Sequence, residues 1–235
     1  MIPLHDDNPT VITPVLTVTF IVICVLVFVW QLSLGDHLER MILALGAIPA
    51  TVVGDASLAP ELKLIPPWMT IFTSMFMHGG WMHLIGNMLY LWIFGNNVED
   101  AMGHLRFAVF YFLCGTAAVM AQALPDPDST IPMIGASGAI SGVLGAYLLL
   151  YPHARVLVAV PLGFILYTMR IPAGFVLAFW FALQLISTLA SGDQQGGVAF
   201  GDAILLEEDQ RPEKSEPVAD HALAHAAAPD GPGGL

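Results

Sequence analysis

The sequence predicts an all-α polytopic membrane protein, a helix bundle with five recognisable spans and an acidic C-terminal tail. Three observations carry that prediction. Of the 235 residues, 56% are hydrophobic and only 11% charged, whereas a soluble domain has about 45–50% apolar and about 25% charged residues. The apolar residues gather into long stretches free of Asp, Glu, Lys and Arg, the signature of segments long enough to cross a bilayer. The charge is segregated: residues 201–235 hold eight acids and two bases within a chain whose net charge is −12. So acidic a chain has no basic face for nucleic acid.

The elements follow in chain order. Asn8 to Gly35 carries no Asp, Glu, Lys or Arg, which predicts a first span over about 11–34. No Lys or Arg precedes Arg40, so this segment lacks the basic start of a cleaved signal peptide and reads as a retained span. Residues 36–67 form a long connection. Asp36-His37-Leu38-Glu39 matches a capping box and opens a short helix over about 36–46. Leu38, Met41, Ile42 and Leu45 mark one face of it, the pattern of a helix lying in a membrane surface. Lys63 and Glu99 bound a 35-residue uncharged stretch whose second half, 81–96, is the second span. The third and fourth are 105–124 and 133–151. The fifth, 171–190, opens on Pro172, at a position where helices tolerate proline. Val156 to Met169 is too short to span and contains Pro161, so it reads as interfacial or re-entrant backbone. After Gly192 the composition turns to Gly, Asp, Gln, Glu, Pro and Ala, and 201–235 reads as disordered. The domain organisation is thus a transmembrane domain over 1–200 and a tail over 201–235. Cys24 and Cys114 sit inside apolar runs and read as core residues rather than a disulfide framework. Arg106, Arg155 and Arg170 flank two connections opposite Arg40 and Lys63, which by the positive-inside rule puts the N-terminus in the cytoplasm.

Polar groups inside spans are costly and face a bundle interior or a water cavity. Near the second span, His83 and Asn87 are four residues apart and share a helix face, with His78 just ahead of them. That pair serves equally as an interhelical hydrogen-bond lock. In the fourth span, Gly135-Ala136-Ser137-Gly138 places a serine at a helix start, where unpaired amides favour developing negative charge. Gly135 and Gly138 would leave room for a substrate carbonyl. Gly138 and Gly142 also form a GxxxG pair, with Gly145 one turn on, which alone accounts for close helix packing.

Taken in order, His78-x4-His83-x3-Asn87, Gly135-x-Ser137-Gly138 and Gly-Gly-Val-Ala-Phe at 196–200 resemble the rhomboid intramembrane serine proteases over about residues 10–200, bacterial type. The resemblance implies a serine endopeptidase that cuts transmembrane-helix substrates without metal or cofactor, held as a multi-pass protein in a bacterial inner membrane. It implies that Ser137 is the nucleophile, that His83, Asn87 and the Ser137 amide form the oxyanion hole, and that His78, Gly135 and Gly138 support the site. Phe175, Phe179 and Trp180, with Phe181, would gate lateral substrate entry. The partners so implied are transmembrane proteins and the bilayer. The sequence leaves the oligomeric state open.

Two departures from the family pattern stand out. Trp68 is followed by Met69 where the family has Trp-Arg. Phe200 is followed by Gly201-Asp202-Ala203 and acidic residues, where the family continues into a sixth span bearing the base histidine. His104 and His153 fall by loops on the other membrane face, and His221 and His225 in the tail. The general base is therefore not found, and Gly138, Gly142 and Gly145 are expected to lack part of their packing partner. A proteolytically dead relative that binds or escorts transmembrane clients is the alternative, and an unrelated polytopic binding protein a third reading. Five spans put the tail outside the cell: a cysteine introduced near Pro229 is expected to react with a membrane-impermeant reagent in intact cells. Protection would correct the span count.

Overall fold

The computed structural model describes residues 2–162 and 165–194, so the motif at 196–200 and the tail at 201–235 lie outside the described residues. Helices dominate. In chain order they are α1 (Val15–Ser33), α2 (Leu38–Leu45), α3 (Pro49–Val52), α4 (Pro67–Thr73), α5 (Trp81–Met102), α6 (His104–Ala123), α7 (Ser137–Leu150) and α8 (Ala173–Gln194). Among the described helices, α1 and α6 are both long and apolar enough to cross a membrane, while α7 is a shorter apolar helix. Helix α5 runs six residues past the expected end of the second span, through Glu99 and Asp100.

That extension anchors α1. Glu99 is fully buried, and its carboxylate accepts the amide N–H groups of Leu16 (2.9 Å) and Thr17 (2.8 Å) and the Thr17 hydroxyl (2.7 Å). Leu16 and Thr17 lie in the first turn of α1, whose amides have no partner within the helix. Pro14 precedes that turn with no side-chain cap of its own, so α5 supplies the cap from across the bundle, with its negative charge at the positive end of the α1 dipole. His104 Nδ1 lies 2.6 Å from the same carboxylate. Asp100 accepts the amides of Val11 and Ile12 at 2.9 and 2.6 Å.

The helix core joins α1, α5, α6 and α7. Phe20 of α1 packs on Tyr111 of α6 with ring centroids 4.5 Å apart, and on Phe76 and Phe112 at 6.1 and 5.7 Å. Gly138 and Gly142 face α6: a Cβ at Gly138 would stand 2.5 Å from that of Ala118, and one at Gly142 would collide with Cys114. The small-residue spacing of α7 thus meets Cys114 and Ala118 of α6 at the same four-residue interval. Of the three glycines expected to lack part of their packing partner, Gly145 has open space beside it. The free Cys24 is buried in the core.

Two expectations are corrected. The class is not purely helical: β1 (Ile2–Asp6), β2 (Arg155–Leu162) and β3 (Ile165–Pro172) form an antiparallel sheet in the order β1-β2-β3. The segment read as interfacial or re-entrant backbone is this β2–β3 hairpin. Its alternating Val156, Val158 and Val160 suit a half-buried strand, and the N-terminal segment supplies a third strand that an isolated hairpin needs for stability. The capping box does not form, because a 3₁₀ turn over Gly35–His37 runs directly into α2 without a side-chain cap. The long connection 36–67 holds the expected short helix as α2, and its Leu43, Ile48, Ala50, Leu58 and Leu62 build a small core of their own. In α2, Leu43 and Ala44 are the buried residues, with Leu38, Met41, Ile42 and Leu45 half-buried beside them.

Replacing Glu99 with Gln removes the charge and leaves one side-chain oxygen where two now accept. The expected loss is about 1–3 kcal/mol of stability, the range for buried hydrogen bonds to a charged group. Denaturation of the purified protein in micelles measures it, with the more accessible Asp100→Asn variant costing less.

Candidate active site

Helices α5 and α7 are parallel neighbours, with antiparallel α6 between them in sequence, so both begin at the same end of the bundle. Ser137 is the first residue of α7 and His83 the third of α5. The two starts meet through Gly135. Its φ is +128°, a left-handed conformation that disfavours side chains, and a Cβ there would lie 2.6 Å from His83 Cε1 and 2.9 Å from Nε2. The His83 imidazole thus occupies the space a side chain would need, two residues ahead of Ser137.

The segment before α5 fixes this turn. Met75 packs where a Cβ on Gly115 of α6 would be. The neighbouring Ser74 carbonyl accepts the Gly135 amide at 2.9 Å. Ala47 and Met133 exchange two backbone hydrogen bonds, at 3.1 and 2.8 Å, holding the segment that leads into the turn. The first amide bonded within α7 is that of Ile140, to the Ala136 carbonyl at 2.9 Å. The amides of Ser137, Gly138 and Ala139 precede it and belong to the turn that no helix can satisfy internally. A cavity of about 100 Å³ opens beside Ser137, bordered by Ser74, Met75, Gln122, Gly135 and Gly138.

His78 stands ahead of α5, its ring edge-on to His83 with centroids 5.3 Å apart. Its backbone is held by Gln31 of α1: Gln31 Oε1 accepts the His78 amide at 3.0 Å, and Gln31 Nε2 donates to the His78 carbonyl at 3.2 Å. Sequence reasoning missed Gln31, although an uncharged amide buried at the end of an apolar span is the signal that marks it. It also missed Ser74 and Gln122. Both ring nitrogens of His78 and both amide atoms of Asn87 are buried without a hydrogen-bond partner among the described residues. Such groups are rare in native proteins; Asn97 Oδ1, Tyr111 OH and Trp180 Nε1 share this state elsewhere among the described residues.

The residues expected to gate entry are divided. Phe175 is 70% exposed and Phe179 and Phe181 are also exposed. Trp180 is buried, its ring 4.2 Å from that of Tyr90 on α5, so it joins α8 to the bundle. His104 is engaged with Glu99, at the opposite end of α5 from His83.

A family model described as the Rhomboid domain matches residues 66–201, more than half of the chain, and that span includes Ser137, His83 and Asn87. The chain belongs to the rhomboid family. This is a family of membrane proteins, and its domain here begins one residue ahead of α4. The chain is 28% identical over 158 residues to Rhomboid protein 1, mitochondrial, of Saccharomyces cerevisiae, covering 61% of this chain and 43% of that protein. It is 31% identical over 136 residues to Rhomboid protease GluP of Bacillus subtilis, covering 57% of this chain and 24% of that one. To RHOMBOID-like protein 5 of Arabidopsis thaliana it is 33% identical over 78 residues, 33% of this chain and 25% of the relative. The chain thus spans from about a quarter to 43% of the length of these relatives. They come from a yeast, a bacterium and a plant, so the expected bacterial inner membrane does not follow from them.

Burial, and secondarily the neighbouring His83, push the His78 imidazole down from its ordinary 6.5 to about 4. The unfolded chain then binds a proton that the folded chain refuses between those values, so stability falls as pH drops from about 6.5 toward 4. Denaturation across that range is expected to lose on the order of 2–3 kcal/mol through this group. His78→Gln is expected to flatten the slope; an unchanged slope would assign it elsewhere.

Proposed function

We propose that this protein is an intramembrane serine endopeptidase of the rhomboid family, acting on transmembrane-helix substrates. The observation that carries the reading is the His83 ring seated against Gly135, two residues ahead of Ser137, inside the family-matched segment. Ser137 is the nucleophile. As its oxygen attacks a substrate carbonyl, negative charge grows on the carbonyl oxygen, and fixed donors in a dry site stabilise it most. The Ser137 amide, His83 and Asn87 are those donors. The unpartnered Asn87 amide fits a group whose partner arrives with substrate. His78 and Gln31 hold the approach to α5; Gly135 and Gly138, expected to leave room for a substrate carbonyl, instead seat the His83 ring beside the serine and let α7 close on Ala118 of α6. Five segments cross the bilayer in this reading, with α5, α7 and α8 joining α1 and α6.

A serine hydroxyl is a weak nucleophile until a base takes its proton. Among the described residues His83 is the imidazole beside Gly135, and it is assigned to the oxyanion. The residues after Phe200 hold eight acids and no apolar stretch of spanning length, with His221 and His225 in an alanine-rich run of only eight residues. This favours a second reading, a rhomboid-like protein that binds transmembrane clients without cutting them.

One experiment separates the two. Loss of a triad serine or histidine costs on the order of 10⁶-fold in a soluble serine protease. If no base serves Ser137, the purified chain in lipid is expected to cleave no transmembrane substrate and to label weakly or not at all with a fluorophosphonate. Fusing a histidine-bearing apolar helix after Phe200 is expected to restore both, and Ser137→Ala to abolish them again. Cleavage by the unmodified chain that survives both His221→Ala and His225→Ala, yet is lost in Ser137→Ala, would establish the protease with another residue as base.

A further inference from the structure

Strand β1 lies at the end of the bundle opposite Ser137, where α5 and α7 finish, and it reaches α5. The Asp7 amide donates to the Arg155 carbonyl at 3.1 Å, and Asp7 Oδ1 accepts the Arg155 amide at 2.9 Å. The N-terminal segment is thus fastened to the start of β2, close behind the end of α7. Its side chains then reach inward. Asp6 is 3% exposed, a carboxylate buried at the helix ends. Tyr147 of α7 donates its hydroxyl to Asp6 Oδ2 at 2.8 Å, and Asn8 Nδ2 donates to the Tyr147 oxygen at 2.6 Å and to Asp6 Oδ2 at 3.1 Å. Asn97 of α5 donates through Nδ2 to the Asn8 carbonyl at 3.1 Å. Tyr151, just past α7, donates to the Asn97 carbonyl at 3.3 Å. His5 Nδ1 stands 4.0 Å from Asp6 Oδ1. Asn8 therefore holds both helices, α7 by its side chain and α5 by its backbone.

Those two helices carry the candidate site at their other ends. Tyr147 stands ten residues after Ser137 on α7, and Asn97 fourteen after His83 on α5. At 1.5 Å of rise per residue these are rods of about 15 and 21 Å, so a slip along the axis at Asn8 carries to Ser137. Apolar contacts between the helices, such as the Phe94 ring 4.8 Å from that of Tyr147, are non-directional. A hydrogen bond weakens steeply off its preferred angle. Among the described residues, the side-chain hydrogen bonds of α7 all belong to Tyr147. Burying a carboxylate is costly unless it is paired and hydrogen-bonded. Asn97 Oδ1 has no partner, while the Asp6, Asn8 and Tyr147 side chains bond one another, and a bonded polar group of this kind rigidifies one arrangement of its surroundings. At the far end, the matching contact is the His83 ring against Gly135.

We infer that Asn8, with Asp6 and Tyr147, is a positioning residue for Ser137: the N-terminal segment pins α7 to α5 at one end so that the Gly135 turn meets the His83 ring at the other. The three side chains act through α7 and lie a helix length away from the reacting atoms. The inference deepens the serine-protease reading and rests on it for the roles of Ser137 and His83.

The full chain, isotopically labelled in histidine and glycine, is measured by nuclear magnetic resonance in bicelles. An imidazole against a glycine displaces the glycine signals, so Gly135 and the His83 ring report their own contact, and His83→Gln removes the displacement and identifies both. Asn8→Ala and Tyr147→Phe are each expected to shift the Gly135 signals toward their His83→Gln positions, and the His83 ring signals with them. Exchanging the two groups, Asp6→Asn with Asn8→Asp, puts one carboxylate and one amide back around the Tyr147 hydroxyl and is expected to reverse the shift. Leu62→Ala, in the separate loop core, is expected to lower the melting temperature and leave both signals in place. Asn8→Ala keeps the carbonyl that Asn97 grips, so it carries the test if Tyr147→Phe does not fold. Unchanged His83 and Gly135 signals in Asn8→Ala, beside a lowered melting temperature, would overturn the inference and leave Asn8 a brace for the sheet. Shifts of equal size in Leu62→Ala, or shifts that the exchange does not reverse, would overturn it as well. The protease reading is tested apart: absence of fluorophosphonate labelling and of cleavage, even with a histidine-bearing helix fused after Phe200, would overturn that reading while the shifts upheld the positioning.

Discussion

The bundle depends on one buried carboxylate. Glu99 takes the place of a local cap for α1, accepting Leu16, Thr17 and the Thr17 hydroxyl from a different helix. A helix that begins after proline in an apolar setting has backbone donors that neither water nor its own residues satisfy, and leaving a buried donor unpaired costs about 1–3 kcal/mol. Capping α1 from α5 meets that cost and fixes the axial position of α1 on α5. The consequence appears at the other end. Gln31, four turns along α1, meets the His78 backbone at the approach to α5. The carboxylate at one end and the amide at the other hold α1 in register with the helix that carries His83 and Asn87.

The same logic places Ser137. Gly115 gives Met75 a seat on α6, the Ser74 carbonyl beside it takes the Gly135 amide, and Gly135 gives up its side-chain space to the His83 ring. Each link replaces a side chain by an approach of backbone or ring. The serine therefore stands at a turn held from three directions, by the segment before α5, by α6 through Ala118 and Cys114, and by the His83 ring. Rigid support of this kind is what oxyanion stabilisation requires, because donors that must reorganise lose their advantage over water. It is also compatible with a tight binding site that performs no chemistry, so the base, rather than the turn, separates protease from client-binding protein.

Much of the chain was legible from residue types and spacing alone. Long uncharged stretches marked the helices, since a buried charge is costly wherever the chain is surrounded by apolar matter. His83 with Asn87 and the Gly-x-Ser-Gly start of α7 were found because polar groups are conspicuous there and because helical periodicity fixes which of them share a face. Cys24 was identified as a core residue for the same reason. These are local properties: each is decided by a residue and its neighbours within about two turns.

What the tertiary structure decided concerns partners distant in the chain. Glu99 served the sequence reading only as the boundary of a span, because nothing local shows that the first turn of α1, 82 residues earlier, lies beside it. Gln31 and Ser74 gained meaning only when folding brought them to His78 and Gly135. The glycines of α7 suited either an open face or a packed one, and the choice fell to Cys114 and Ala118 on another helix. Val156 to Met169 had the apolar content of a short membrane segment, yet became a hairpin because residues 2–6 arrived to pair with it. Hydropathy counts what a segment must hide from water; which surface hides it is settled by the chain closing on itself.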